Sequence, residues 1–116
     1  MDRGDVITVD IPKPSGQKGH EQTGYRPAII LQSEVNDSGL PTIIIIPFTS
    51  NLQAMRFPYT VHVDPSPQNG LSVASALLVF QLRAIDKKRI GNVIGRLENI
   101  YMRKIEDELK RLVGFD

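Results

Sequence analysis

Between Val6 and Ile11, apolar and polar positions alternate: Ile7, Val9 and Ile11 are separated by Thr8 and Asp10. A period of two marks a half-buried strand. The alternation stops at Pro12, and Pro14, Gly16 and Gly19 carry a long exposed loop on to Gly24. A loop of that length in so small a domain is usually functional or mobile. Ala28-Ile29-Ile30-Leu31 is then a continuous apolar run, which predicts a strand buried on both faces over Ala28–Gln32. Asn36-Asp37-Ser38-Gly39 is a turn signal. Ile43-Ile44-Ile45-Ile46 is the next strand, ended by Pro47, and the two strands are expected to pair as a hairpin.

Tyr59 to Val63 alternates again between Pro58 and Pro65. Leu77 to Leu82 reads as one apolar strand carrying a single polar residue, Gln81. Ile90 to Leu97 adds a short strand despite Gly91 and Gly95. The last element has a different period. Tyr101, Ile105, Leu109 and Leu112 or Val113 recur every three or four residues, with charged residues between them, which predicts an amphipathic helix. Asn99 fits its N-cap and Gly114 its C′ position. Short strands followed by one terminal helix predict a mainly-β fold, a small curled barrel.

The chain has 116 residues, enough for one domain around one core. Cysteine is absent, which excludes disulfides, thiolate catalysis and a Cys-ligated zinc site. The first residues are charged and show no apolar signal-peptide region, and no run reaches the length of a membrane span, so the expected location is cytoplasmic. Net charge is +1. Arg83, Lys87, Lys88, Arg89 and Arg96 nevertheless fall close together, as a phosphate-tracking patch or a solvated edge would.

Candidate chemistry is sparse. His20 and His62 are the only histidines, and His62 sits mid-strand. The carboxylates lack ligand spacing, so no metal is expected. No Walker loop, GxSxG or GxGxxG occurs. What remains is the stretch His20 to Leu31, where Pro27 lacks the N–H a strand interior needs and leaves Glu21, Gln22, Tyr25 and Arg26 on a loop feeding the core. Arg26 is a planar cationic fork suited to phosphate. Thr49, at the exit of the neighbouring strand, offers a hydroxyl. An arginine and a hydroxyl converging at a barrel mouth suit phosphoryl transfer by charge stabilisation. A surface Glu21–Arg26 ion pair and a routine turn threonine explain the same residues, and spacing alone leaves the choice open.

Four segments together resemble the MazF/PemK/Kid family of toxin endoribonucleases. They are Arg3-Gly4-Asp5-Val6, Glu21-Gln22-Thr23-Gly24-Tyr25-Arg26-Pro27-Ala28, Pro47-Phe48-Thr49-Ser50, and Gln81 through Ile90. The resemblance implies a single domain over residues 1–116, an SH3-like β-barrel with a C-terminal helix, acting as a homodimer. It implies metal-independent cleavage of single-stranded RNA at short motifs, with no cofactor, and neutralisation by a co-encoded antitoxin. It places the catalytic arginine on Arg26, the catalytic threonine on Thr49 and an acidic loop residue on Glu21. RNA contacts fall on Gln22, Tyr25, Ser50, Gln81, Arg83 and Lys87, and the segment from Gln81 to Lys87 is also where the family closes its dimer. Two features depart from the family pattern. The Pro12–Gly19 loop is longer than in compact members, and Phe80 stands where many carry an acidic residue. A gyrase poison of the same fold and a plain SH3-like binding module are the rival functions.

Overall fold

The computed structural model describes residues 1–11 and 25–115. Seven antiparallel strands and one α-helix make up the regular structure of these residues. The strands are β1 (Asp5–Asp10), β2 (Tyr25–Ile30), β3 (Thr42–Thr49), β4 (Thr60–Val63), β5 (Ser75–Leu78), β6 (Arg83–Asp86) and β7 (Ile90–Arg96). The helix, α1, spans Asn99–Val113. Strand order is β4-β5-β3-β2-β1-β7, with β6 also on β3. The mainly-β class and the terminal helix are as expected, but the strand path is open: β4 and β7 end it without pairing to each other.

The expected β2–β3 hairpin is present, with Ala28 opposite Pro47, Ile29 opposite Ile46 and Ile30 opposite Ile45. Side-chain alternation along β1, β2 and β3 sorts the core into two layers. Val6, Ile29, Ile46 and Phe48 join Val61, Leu77 and the inner face of α1, where Ile105 is buried and Tyr101, Met102, Leu109 and Leu112 pack beside it. Ile7, Val9, Ala28, Ile30, Ile43 and Ile45 face the other way, towards Val35 and Ile85. Burial on both faces explains why β2 and β3 read as unbroken apolar runs.

Several boundaries differ from the sequence expectation. Pro27 does not exclude its neighbours from a strand. Tyr25, Arg26 and Pro27 belong to β2 and pair with Asp10, Val9 and Thr8 of β1. Pairing with β3 begins only at Ala28, so β2 is an edge at Pro27, where proline is tolerated. Pro47 does not end β3 either, which runs on to Thr49. On its other edge β3 pairs β6 as far as Ile45 and β5 from Phe48. Pro47 sits in the gap between these two partners. The run Leu77–Leu82 is not one strand. β5 ends at Leu78, a 3-10 turn covers Val79–Gln81, and β6 resumes at Arg83. The helix N-cap is Glu98 rather than Asn99. Gly114, at φ 79°, ends the helix in the left-handed conformation as expected.

The Arg3-Gly4-Asp5 segment fastens three elements. Gly4 donates its N–H to Ile30 and accepts from Leu97, both at 2.8 Å. Asp5 holds Arg96 at 3.0 Å, and Arg3 reaches Glu106 on α1 at 3.8 Å. Among the described residues, no helix is long and apolar enough to cross a membrane.

Candidate active site

A proline opens the site. The β2–β3 ladder stops at Ala28 and Pro47, because Pro27, the next residue of β2, has no N–H to continue it. Arg26, two residues before Ala28, pairs with Val9, and Thr49, two residues after Pro47, pairs with Ala76. Arg26 and Thr49 both line a cleft of about 460 Å³, together with Thr8, Pro27, Phe48, Ser50 and Asn51. Arg26 and Thr49 are half-buried, while Ser50 is exposed. Thr49 Oγ1 accepts the Asn51 N–H at 3.2 Å. That bond fixes the hydroxyl oxygen and leaves its proton for an incoming acceptor. Asn51 Oδ1 in turn accepts the Gln53 N–H at 3.1 Å, which caps the 3-10 turn Leu52–Arg56. The threonine is thus a turn residue and a cleft residue at once.

The rest of the lining comes from residues that sequence reasoning did not single out. Gly70, Leu71, Ser72 and Val73 supply most of it, with Ile94 from β7. Asn69, fully buried, organises this segment. Its Oδ1 accepts from the backbone of Ser66 and Leu71 at 3.1 and 3.0 Å. Its Nδ2 donates to the Asp64 carbonyl at 2.9 Å and to Glu98 at 3.1 Å. Ser66 Oγ donates to the second Glu98 oxygen at 2.8 Å. Gly70 has φ 73° and lies against the Ile94 carbonyl, leaving no room for a Cβ. The Asn69-Gly70 pair after two prolines was the available signal, but it reads only as a turn.

The remaining named residues spread out. Glu21 and Gln22 lie outside the described residues. Tyr25 is exposed and its ring lies over Gly91. Gln81 is in the 3-10 turn after β5, and Arg83 faces Ile45 across the sheet. Lys87 follows Asp86, which pairs with Thr42 at the far end of β3. Seven strand steps separate that end from Thr49, about 23 Å. Its ammonium donates to the Val35 carbonyl at 3.2 Å. Arg89 pairs with Asp10 at 3.6 Å and Arg96 with Asp5. The basic residues clustered in sequence therefore do not form one patch. Among the described residues, no group of three or more His, Cys, Asp or Glu is placed to hold a metal ion.

Residues 2–113 match the family model described as the PemK-like, MazF-like toxin of type II toxin–antitoxin systems. The chain belongs to the PemK/MazF family. Endoribonuclease EndoA of Bacillus subtilis (strain 168) is 32% identical over 108 residues, covering 93% of this chain and 90% of the relative. The fold agrees with that of the MazE–MazF complex of Deinococcus radiodurans (Form-II), with TM-score 0.76, 22% identity, and 100% and 97% of the two chains covered. It agrees equally with the Mycobacterium tuberculosis toxin MazF-mt6, at TM-score 0.74 and 20% identity, covering 97% of this chain and 98% of that one. PemK/MazF members are endoribonuclease toxins, and this chain is a member by sequence over nearly its whole length.

Proposed function

We propose that the chain is a sequence-specific endoribonuclease that cuts single-stranded RNA through the RNA's own 2′-hydroxyl. The observation that supports this most is the convergence of Arg26 and Thr49 on one open cleft. The O2′–P bond forms and the P–O5′ bond breaks. A base takes the 2′ proton, and the departing O5′ gains one. The products are a 2′,3′-cyclic phosphate, or its opened form, and a 5′-hydroxyl. The nucleophile is covalently held beside the phosphorus, so no activated water and no metal is needed. Arg26 stabilises charge on the non-bridging oxygens; a guanidinium keeps its proton and is unsuited to act as a base. Thr49 donates its hydroxyl proton to a phosphate oxygen. Glu21 either takes the 2′ proton or holds Arg26. Gln22, Tyr25, Ser50, Gln81 and Arg83 contact the strand on either side, with Lys87 at its margin. Single-stranded substrate follows from the need for in-line geometry and splayed bases.

The working unit is a homodimer in the cytoplasm, neutralised by a small, partly disordered antitoxin that competes with RNA for the cleft. Exposed Leu52, Phe57, Phe80 and Leu82 supply an apolar surface for the second copy.

A single 2′-deoxy substitution on the 5′ side of the cut tests the mechanism. Cleavage is abolished while binding persists, and EDTA leaves cleavage of the all-ribo strand unchanged. Cleavage of the deoxy strand, or EDTA inactivation reversed by magnesium, overturns the mechanism. A supercoiling assay with gyrase, expected to be unaffected, separates the ribonuclease from a gyrase poison.

A further inference from the structure

The cleft lining is of two unlike kinds. Arg26, Thr49 and Ser50 offer a cation and hydroxyls. Val73 and Ile94 line the same cleft and are 52% and 37% exposed, although both are branched aliphatic residues. Neither contributes to the two core layers. The segment leading to Val73 is tied down as far as Leu71, and the Val73 carbonyl itself accepts from the Ser75 hydroxyl at 3.0 Å. Asn69 ties the backbone of residues 64–71 to Glu98. The Arg96 N–H donates to the Gln68 carbonyl at 2.8 Å, and Gly70 is pressed against Ile94. β-Branched side chains are also stiff about their first torsion. An exposed apolar face on so constrained a segment, beside a phosphate-binding pair, fits the flat surface of a base better than it fits solvent.

We propose that Val73 and Ile94 form the face on which a nucleobase next to the scissile phosphate packs, and that they set base preference at that position. The proposal rests on the ribonuclease reading above. With the phosphate held by Arg26 and Thr49, the cleft has volume left for an adjoining base. Neither side chain has a hydrogen-bond donor or acceptor, so this face cannot read a base edge. It discriminates by size and by apolar contact, the way a hydrophobic pocket does. Bases stack and pack on apolar and aromatic surfaces without edge contacts.

The test is the cleavage of RNAs randomised around the cut, with the 5′ ends of the products sequenced. Relative kcat/KM for purine against pyrimidine is read at each flanking position. Val73→Ala and Ile94→Ala shift this ratio roughly three- to tenfold at one flanking position, below the larger discrimination of a closed pocket. The ratios at other positions stay constant. Val73→Thr keeps the shape, gives a smaller shift at the same position, and serves if the alanine variants unfold by circular dichroism. Val113→Thr, on the exposed side of α1, leaves every ratio unchanged. Unchanged ratios in folded Val73 and Ile94 variants overturn the proposal while the ribonuclease reading stands. Unchanged ratios with altered self-association by light scattering also overturn it, and assign the face to a second copy of the chain. If the unsubstituted protein does not cut RNA, the ribonuclease reading fails and the base face fails with it.

Discussion

Arg26 and Thr49 show what one residue contributes where two neighbouring strands stop pairing with each other. Each lies near the terminus of its strand, where β2 and β3 no longer pair with each other, and the hydroxyl is oriented by a single backbone N–H. Removing one charge-stabilising donor at such a site costs roughly 10²–10³ in kcat. Thr49→Val keeps the shape of the side chain and removes the hydroxyl, so it is expected to lose that factor in steady-state cleavage with melting temperature nearly unchanged. Thr49→Ser is expected to retain most activity. Arg26→Lys keeps the charge and loses the bidentate fork, and is expected to fall well below the native enzyme in kcat, since the two cations are not interchangeable at a phosphate. Full activity in either Thr49→Val or Arg26→Lys would remove that residue from the mechanism. Both residues were legible in the sequence because each flanks an apolar run, where a polar side chain is conspicuous. Val73 and Asn69 were not, because an aliphatic or an asparagine within a loop carries no periodic signal; only tertiary contacts give them a role.

At the scale of elements, the apolar pattern located the strands and misjudged where they end. The run Leu77–Leu82 is apolar but for Gln81, yet β5 and β6 must both reach the same edge of β3, one near Thr49 and the other near Thr42. The 3-10 turn Val79–Gln81 makes that step along the edge, with the Val79 N–H donating to the Tyr59 carbonyl. Nothing in an apolar run of this length distinguishes one strand from two. Prolines misled in the opposite direction. Pro27 and Pro47 stay in strands because each occupies a position where the ladder on one side is missing, and at Pro27 that break opens the cleft. The segment between β4 and β5 has no ladder and depends on side-chain hydrogen bonds. Asn69→Ala leaves the Ser66 and Leu71 N–H groups and the Asp64 carbonyl without their buried partner. An unsatisfied buried group costs about 1–3 kcal/mol, so a destabilisation of about 3 kcal/mol is expected in urea unfolding. For a domain of this size that lowers the melting temperature by roughly 10 °C. A change under about 0.5 kcal/mol, the usual range of surface substitutions, would show that the network does not hold the segment.

At the scale of the molecule, the cleft and the exposed apolar surface share a segment. Asn51 lines the cleft, and the 3-10 turn Leu52–Arg56 leads from it to Phe57. The Phe57 and Phe80 rings stand 5.7 Å apart at 58°, with Arg56 at 5.5 Å over Phe57. An aromatic pair left this open is the kind of anchor that carries an interface. If a second copy covers it, association and cleavage are coupled through the turn that orients Asn51 and hence the Thr49 hydroxyl. Phe57→Glu places a charge in that contact, and Phe57 is not among the residues lining the cleft. It is expected to convert the dimer to monomer at micromolar concentration in light scattering. Its specific activity should then rise with protein concentration, because mass action restores the dimer and with it the orientation of the turn. A Phe57→Glu protein that stays dimeric would place the subunit contact elsewhere. A monomeric one with full activity at every concentration would show that the cleft works alone.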